Sequence, residues 1–157
     1  MPSGSSLTCT WTNSRRSATL VVRKTWVNAV LANAVTVATN GLINNASLSS
    51  VANSANETDT NAAVTVYAAE SATLSETFIV GNSANYGQVL TCTGNGTALA
   101  GNLLTVNAAD TAIVCTFTNT QQAPGSITIM KDVASGTDAK DFAFTSTGSG
   151  TSNFSLD

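Results

Sequence analysis

Short β-branched segments that alternate an apolar residue with Thr or Ser, broken at close intervals by turn residues, restrict this chain to sheet. The pattern covers residues 19–22, 34–39, 63–67, 73–80, 88–93, 103–106 and 112–118, as in Ala34-Val-Thr-Val-Ala-Thr39. A repeat of two gives each strand one apolar face and one polar face, so each must lay one side against a core. Asn40-Gly41, Gly81-Asn82, Asn95-Gly96, Gly101-Asn102 and Asn107-Ala-Ala-Asp110 stand between the segments and supply turns. The expectation is an all-β sandwich or barrel. Trp26 to Ala34 has helical composition but runs directly into an alternating segment; it reads as loop and strand, with a short helix left open.

The same strand signature occurs twice with its details in order. Cys9-Thr-Trp-Thr-Asn13 recurs as Cys115-Thr-Phe-Thr-Asn119, and Leu20-Val-Val-Arg-Lys24 recurs as Ile127-Thr-Ile-Met-Lys131, at nearly equal spacing. Equal spacing of two landmarks implies a repeat unit of domain size. Residues 1–14 then read as the last strand of a preceding unit, 15–120 as a complete sandwich, and 121–157 as a linker and the first strands of a following unit.

Composition narrows the function. Only 10% of the 157 residues are charged and the net charge is −3, against about a quarter charged in ordinary soluble domains. Six cations, alone or in pairs, make no basic face, which argues against nucleic acid. No apolar run reaches the 18 residues of a membrane span. The Met1-Pro-Ser-Gly-Ser-Ser start lacks the cationic and apolar regions of an export signal, so such a signal is expected elsewhere in a longer chain, or these residues are a processed end. The chain has no histidine and three cysteines without Cys-x-x-Cys spacing. No metal or cofactor is expected from that set, and no acid–base constellation for an external substrate.

Cys92 and Cys115 fall in neighbouring expected strands, which suggests a disulfide in an oxidising compartment; three buried thiols in a reducing one is the other reading. Cys9 would then pair outside this chain's complete unit. Asn56-Glu-Thr-Asp-Thr-Asn61 gathers oxygen ligands but lacks the acidic density of a calcium loop, and is expected to be a solvated loop. Trp11, Trp26, Tyr67 and Tyr86 are read as core or edge packing, with a sugar-binding platform as the alternative.

Leu20-Val-Val-Arg-Lys24, Leu74-Ser-Glu-Thr77 and Cys115-Thr-Phe-Thr-Asn-Thr120, in that order, resemble the prealbumin-like, Cna B-type repeat domains of bacterial surface proteins and pilins. The resemblance implies an immunoglobulin-like or transthyretin-like β-sandwich used as a stalk module. It also implies an intramolecular isopeptide bond, with Lys24 as nucleophile, Asn119 as electrophile and Glu76 as proton shuttle. Burial drives a lysine toward its neutral, nucleophilic form. The sequence departs from the family where Glu76-Thr77 continues as Phe-Ile-Val rather than Ala-Pro. The competing reading has Lys24 merely pairing with Glu76 while Asn119 caps a strand end.

The expected function is therefore a structural repeat of a secreted surface fibre, filament or adhesin on the bacterial cell surface, not an enzyme acting on an external substrate. Its expected partners are neighbouring repeats or identical subunits. A module binding carbohydrate or a host protein is the alternative. Either the chain is one stretch of a tandem array, or strands are exchanged between subunits, with Leu7, Cys9, Trp11 and Asn13 of one chain completing a sandwich opened by Ile127, Ile129 and Lys131 of another.

Overall fold

The computed structural model describes residues 4, 6–130, 142–147 and 152–156. The chain divides into two units, Met1–Gln122 and Ala123–Asp157. The first is all-β, and its described residues form nine strands: β1 Ser17–Val27, β2 Ala34–Asn40, β3 Ser47–Val51, β4 Glu57–Thr60, β5 Val64–Tyr67, β6 Ser71–Val80, β7 Tyr86–Thr93, β8 Leu103–Thr105 and β9 Ala112–Gln121. They form two sheets. One runs β4-β1-β9-β7, with β5 sharing the outer edge of β1 beside β4; the other runs β3-β2-β6-β8.

The alternation in the sequence is what packs them. On β1, Ala18, Leu20, Val22, Lys24 and Trp26 are buried while the intervening residues face outward. The inner face of β9 follows the same rule with Ile113, Cys115, Phe117 and Asn119. Val35 and Val37 of β2, Leu74 of β6 and Leu104 of β8 join the same core from the second sheet. Burying apolar side chains of this size stabilises the fold by roughly 1.5–3 kcal/mol each. At one end, Trp26, Phe78 and Tyr86 pack as an aromatic cluster, with ring centroids 5.5 to 6.1 Å apart.

First and last strands of the sandwich lie side by side and parallel, in a register that puts Val22 opposite Cys115 and Trp26 opposite Asn119. Parallel neighbours require a long crossover, and here the crossover is nearly the whole domain. β7 covers the other edge of β9 in antiparallel register, Cys92 facing Cys115 and Gln88 facing Asn119.

The stretch after Trp26 forms strand and turn, as its sequence reads, and the short helix left open does not occur: β1 extends to Val27, and Asn28 and Ala32 turn the chain with φ of 52° and 66°. Asn56–Asn61, expected as a solvated loop, contains β4, because Arg23 to Trp26 offer a free strand edge to Glu57 to Thr60. β3, polar on both faces of Ser47-Leu-Ser-Ser-Val51, escapes the alternation test and forms by pairing with β2.

In the second unit, β10 Phe142–Phe144 pairs antiparallel with β11 Phe154–Leu156, and the Phe144 and Phe154 rings stack at 5.1 Å. Ser126 to Met130, expected to open a strand, makes no sheet pairing among the described residues.

Candidate functional site

Lys24, Glu76 and Asn119 come from three different strands and meet inside the sandwich. β1 turns Lys24 inward at a position its neighbours on that face fill with Val22 and Trp26, and the lysine has no solvent exposure at all. Glu76 arrives from the opposite sheet: on β6 it shares the inner face with Ala72, Leu74 and Phe78. Its side chain is 6% exposed. Asn119 is fully buried on β9.

One carboxylate oxygen serves both partners. Glu76 Oε1 lies 2.8 Å from Lys24 Nζ and accepts a hydrogen bond from Asn119 Nδ2 at 3.2 Å. Lys24 Nζ makes no hydrogen bond beyond its pairing with Glu76, and Asn119 Oδ1 is buried with no donor. An orphaned carbonyl is costly in such a place, because its desolvation is not compensated. The Trp26 ring lies over the ammonium, its centroid 4.4 Å from Nζ. Burial lowers the pKa of Lys24 below its ordinary 10.5, and the hydrogen bond and charge of Glu76 offset part of that. Burial thus moves Lys24 toward the neutral amine, which is the nucleophilic form.

The indole is itself held. Trp26 Nε1 donates to Ser50 Oγ at 2.8 Å, and Ser50 Oγ donates to Asp59 Oδ2 at 2.6 Å. This chain crosses from β1 to β3 and back to β4. It was invisible in the sequence, since Ser50 and Asp59 sit in the two strands that the alternation did not disclose.

On its other side Glu76 meets solvent. Glu76 Oε2 accepts from Gln88 Nε2 at 3.3 Å. A cleft of about 250 Å³ opens there, lined by Glu76, Gln88, Val89, Leu90, Asn102 and Phe117. β8 pairs with β6 only as far as Thr73, so the cleft lies beside the part of β6 that β8 leaves uncovered.

The remaining expected sites resolve as follows. Cys92 and Cys115 form a disulfide, which ties β7 to β9. Cys9 is a free, exposed thiol. Leu7, Trp11 and Asn13 are exposed around it, Trp11 at 90%. Ile127 and Ile129 are exposed in the second unit, and Lys131 lies outside the described residues. A shared aromatic platform does not form: Trp26 and Tyr86 are core, Trp11 is far out in solvent, and Tyr67 carries the Arg15 guanidinium over its ring at 4.9 Å. The oxygens of the 56–61 segment are engaged internally. Asn56 Oδ1 accepts from the Asn28 amide, the Glu57 carboxylate from Asn53 and Ser54, and Asn61 Oδ1 from Val22. No group of acidic, His or Cys side chains fit to hold a metal occurs among the described residues.

No family model, curated protein or solved structure matches this chain.

Proposed function

We propose that this chain carries a structural repeat module of a secreted bacterial surface fibre, filament or adhesin, of transthyretin-like topology, whose first and last strands are joined by a self-made amide between Lys24 and Asn119. The observation that carries the reading is the single oxygen, Glu76 Oε1, in contact with both reacting side chains, each of them fully buried.

The chemistry follows from that placement. Glu76 Oε1 takes a proton from the Lys24 ammonium, leaving a neutral amine. Nζ attacks Asn119 Cγ, and a C–N bond forms. Oε1, which also faces Nδ2, passes the proton to that nitrogen and the Cγ–Nδ2 bond breaks; Oε1 then takes the surplus proton from the newly bonded Nζ and hands it to the departing ammonia. One ammonium and one primary amide are consumed, one secondary amide and one ammonium ion are made, and Glu76 is regenerated as the carboxylate. A proton relay through one atom needs no rearrangement between steps, which is the advantage of a preorganised site.

The mechanical consequence supports the structural reading. Tension that enters at Ser17 and leaves at Gln121 would pull β1 and β9 past one another, because the strands are parallel and adjacent. An amide from Lys24 to Asn119 routes that force around everything between them. The Cys92–Cys115 disulfide adds a second tie on β9 and fits an oxidising, exported setting.

Intact mass of the folded chain tests the reading. The expected mass, after reduction of the disulfide, is lower than the sequence mass by one ammonia, and the deficit disappears in Lys24→Met, Asn119→Ala and Glu76→Ala. A wild-type mass equal to that of the unmodified sequence refutes the crosslink.

A further inference from the structure

The two oxygens of Glu76 face different worlds. Oε1 looks inward to Lys24 and Asn119, and Oε2 looks outward to Gln88 at the edge of the solvent cleft. Lys24 is the charged group that faces Glu76 among the described residues. β2 brings Val37 opposite it, β9 brings Asn119 and β7 brings Gln88. Gln88 is also the register partner of Asn119, so the strand that holds the electrophile fixes where the Gln88 amide can reach.

We propose that Gln88 is a positioning residue for the condensation: it donates to Glu76 Oε2 and thereby keeps the shuttled proton on Oε1, the oxygen that both reactants share. This rests on the crosslink reading. The argument is one of donor and acceptor inventory. A protonated carboxyl has one O–H and one free acceptor oxygen. An N–H already pointing at Oε2 is compatible with Oε2 as acceptor and opposes an O–H there, since two donors would meet; the Asn119 N–H at Oε1 raises the same conflict only until Nζ attacks, when Nδ2 loses its amide conjugation and its lone pair can accept from an Oε1 O–H, whereas the Gln88 amide remains a donor. Without Gln88, water from the cleft reaches Oε2, accepts an O–H from it, and draws the proton to the oxygen that cannot serve Lys24 or Asn119. Gln88 touches neither reacting atom. Its effect passes entirely through Glu76.

The test follows ammonia loss by intact mass as the full chain, recovered unfolded and uncrosslinked, is refolded under oxidising conditions across a pH series. Gln88→Met keeps the side-chain length and removes the donor, and at this exposed position it should fold, as checked by formation of the Cys92–Cys115 disulfide. It should condense about five- to tenfold more slowly than wild type, the worth of one net hydrogen bond. Gln88→Glu places a second carboxylate beside Glu76 and should move the pH optimum of the rate upward, because a neighbouring like charge favours the protonated acid. A merely structural role would leave that optimum in place. Equal rates for wild type and Gln88→Met, or an unmoved optimum in Gln88→Glu, overturn the role of Gln88 while leaving the crosslink standing. A wild-type chain that never loses ammonia overturns both.

Discussion

Trp26 and Asn119 stand directly opposite one another in the parallel β1–β9 pair, so Lys24, one inward position earlier on β1, shares the inner face of the sheet with Asn119. The register makes the lysine and the asparagine neighbours, and Glu76 from the facing sheet closes the set. A slip of one residue in this pairing would turn one of the two outward. The site therefore depends on the whole sandwich having folded, which places any condensation after folding.

Removing the lysine alone should be worse than removing the whole charged pair. Lys24→Met leaves the Glu76 carboxylate nearly buried with no cation beside it, and breaking one half of a buried pair costs about 3–5 kcal/mol. The Lys24→Met/Glu76→Gln double variant also lacks the crosslink but buries no charge, and should recover most of that loss. Urea unfolding midpoints of the two variants, compared with each other rather than with the crosslinked chain, isolate the charge term.

The pH dependence of stability has a definite sign when the crosslink is prevented. In Asn119→Ala, Lys24 stays buried and its folded pKa stays below 10.5, with burial as the chief cause and Glu76 opposing it. Between that lowered value and 10.5 the unfolded chain binds more protons than the folded one, so stability should rise with pH across this window. Below it the full cost of burying the ammonium remains. Thermal melts of Asn119→Ala from neutral pH to pH 11 should show the rise, and the Asn119→Ala/Lys24→Met double variant should lack it.

The disulfide should contribute independently of that chemistry. Cys92 and Cys115 are 23 residues apart in sequence and close the β7–β9 segment. In the loop-entropy view a bridge of this span stabilises by about 3 kcal/mol. Cys92→Ala/Cys115→Ala in an Asn119→Ala background should lower stability by about that amount, measured by urea unfolding, and a loss near zero would mean that the unfolded chain is already compact there.

The strands that carried alternation were legible because alternation is the physical requirement for a half-buried strand. Lys24, Glu76 and Asn119 were singled out by the family resemblance, although Lys24 also interrupts the apolar face of Leu20 and Val22 with a charge. Glu76 likewise stands at an inward position of β6, two residues from Leu74 and from Phe78. What stayed hidden has an equally physical reason. β3 and β4 are edge strands rich in Ser, Thr, Glu and Asp, and an edge strand held mainly by backbone pairing leaves little trace in its side chains. Gln88 was unreadable for another reason: nothing in Gly-Gln-Val announces a partner that belongs to the other sheet.

The hydrogen-bonded chain Trp26–Ser50–Asp59 offers a last test, because it links both sheets at the side of the site away from the cleft. Trp26 and Ser50 are buried, so Ser50→Ala strands the indole N–H without a partner and removes the donor to Asp59. An unsatisfied buried donor costs about 1–3 kcal/mol. The Trp26→Phe/Ser50→Ala pair, which removes both ends of the first bond, should lose less than the sum of the single variants, a coupling of about 0.5–3 kcal/mol for groups in one network. Trp26→Phe alone keeps an aromatic face for Lys24 while leaving Ser50 free to bond Asp59. Urea unfolding of the three variants in an Asn119→Ala background measures the cycle, and strict additivity would show that Ser50 holds Asp59 without holding the indole.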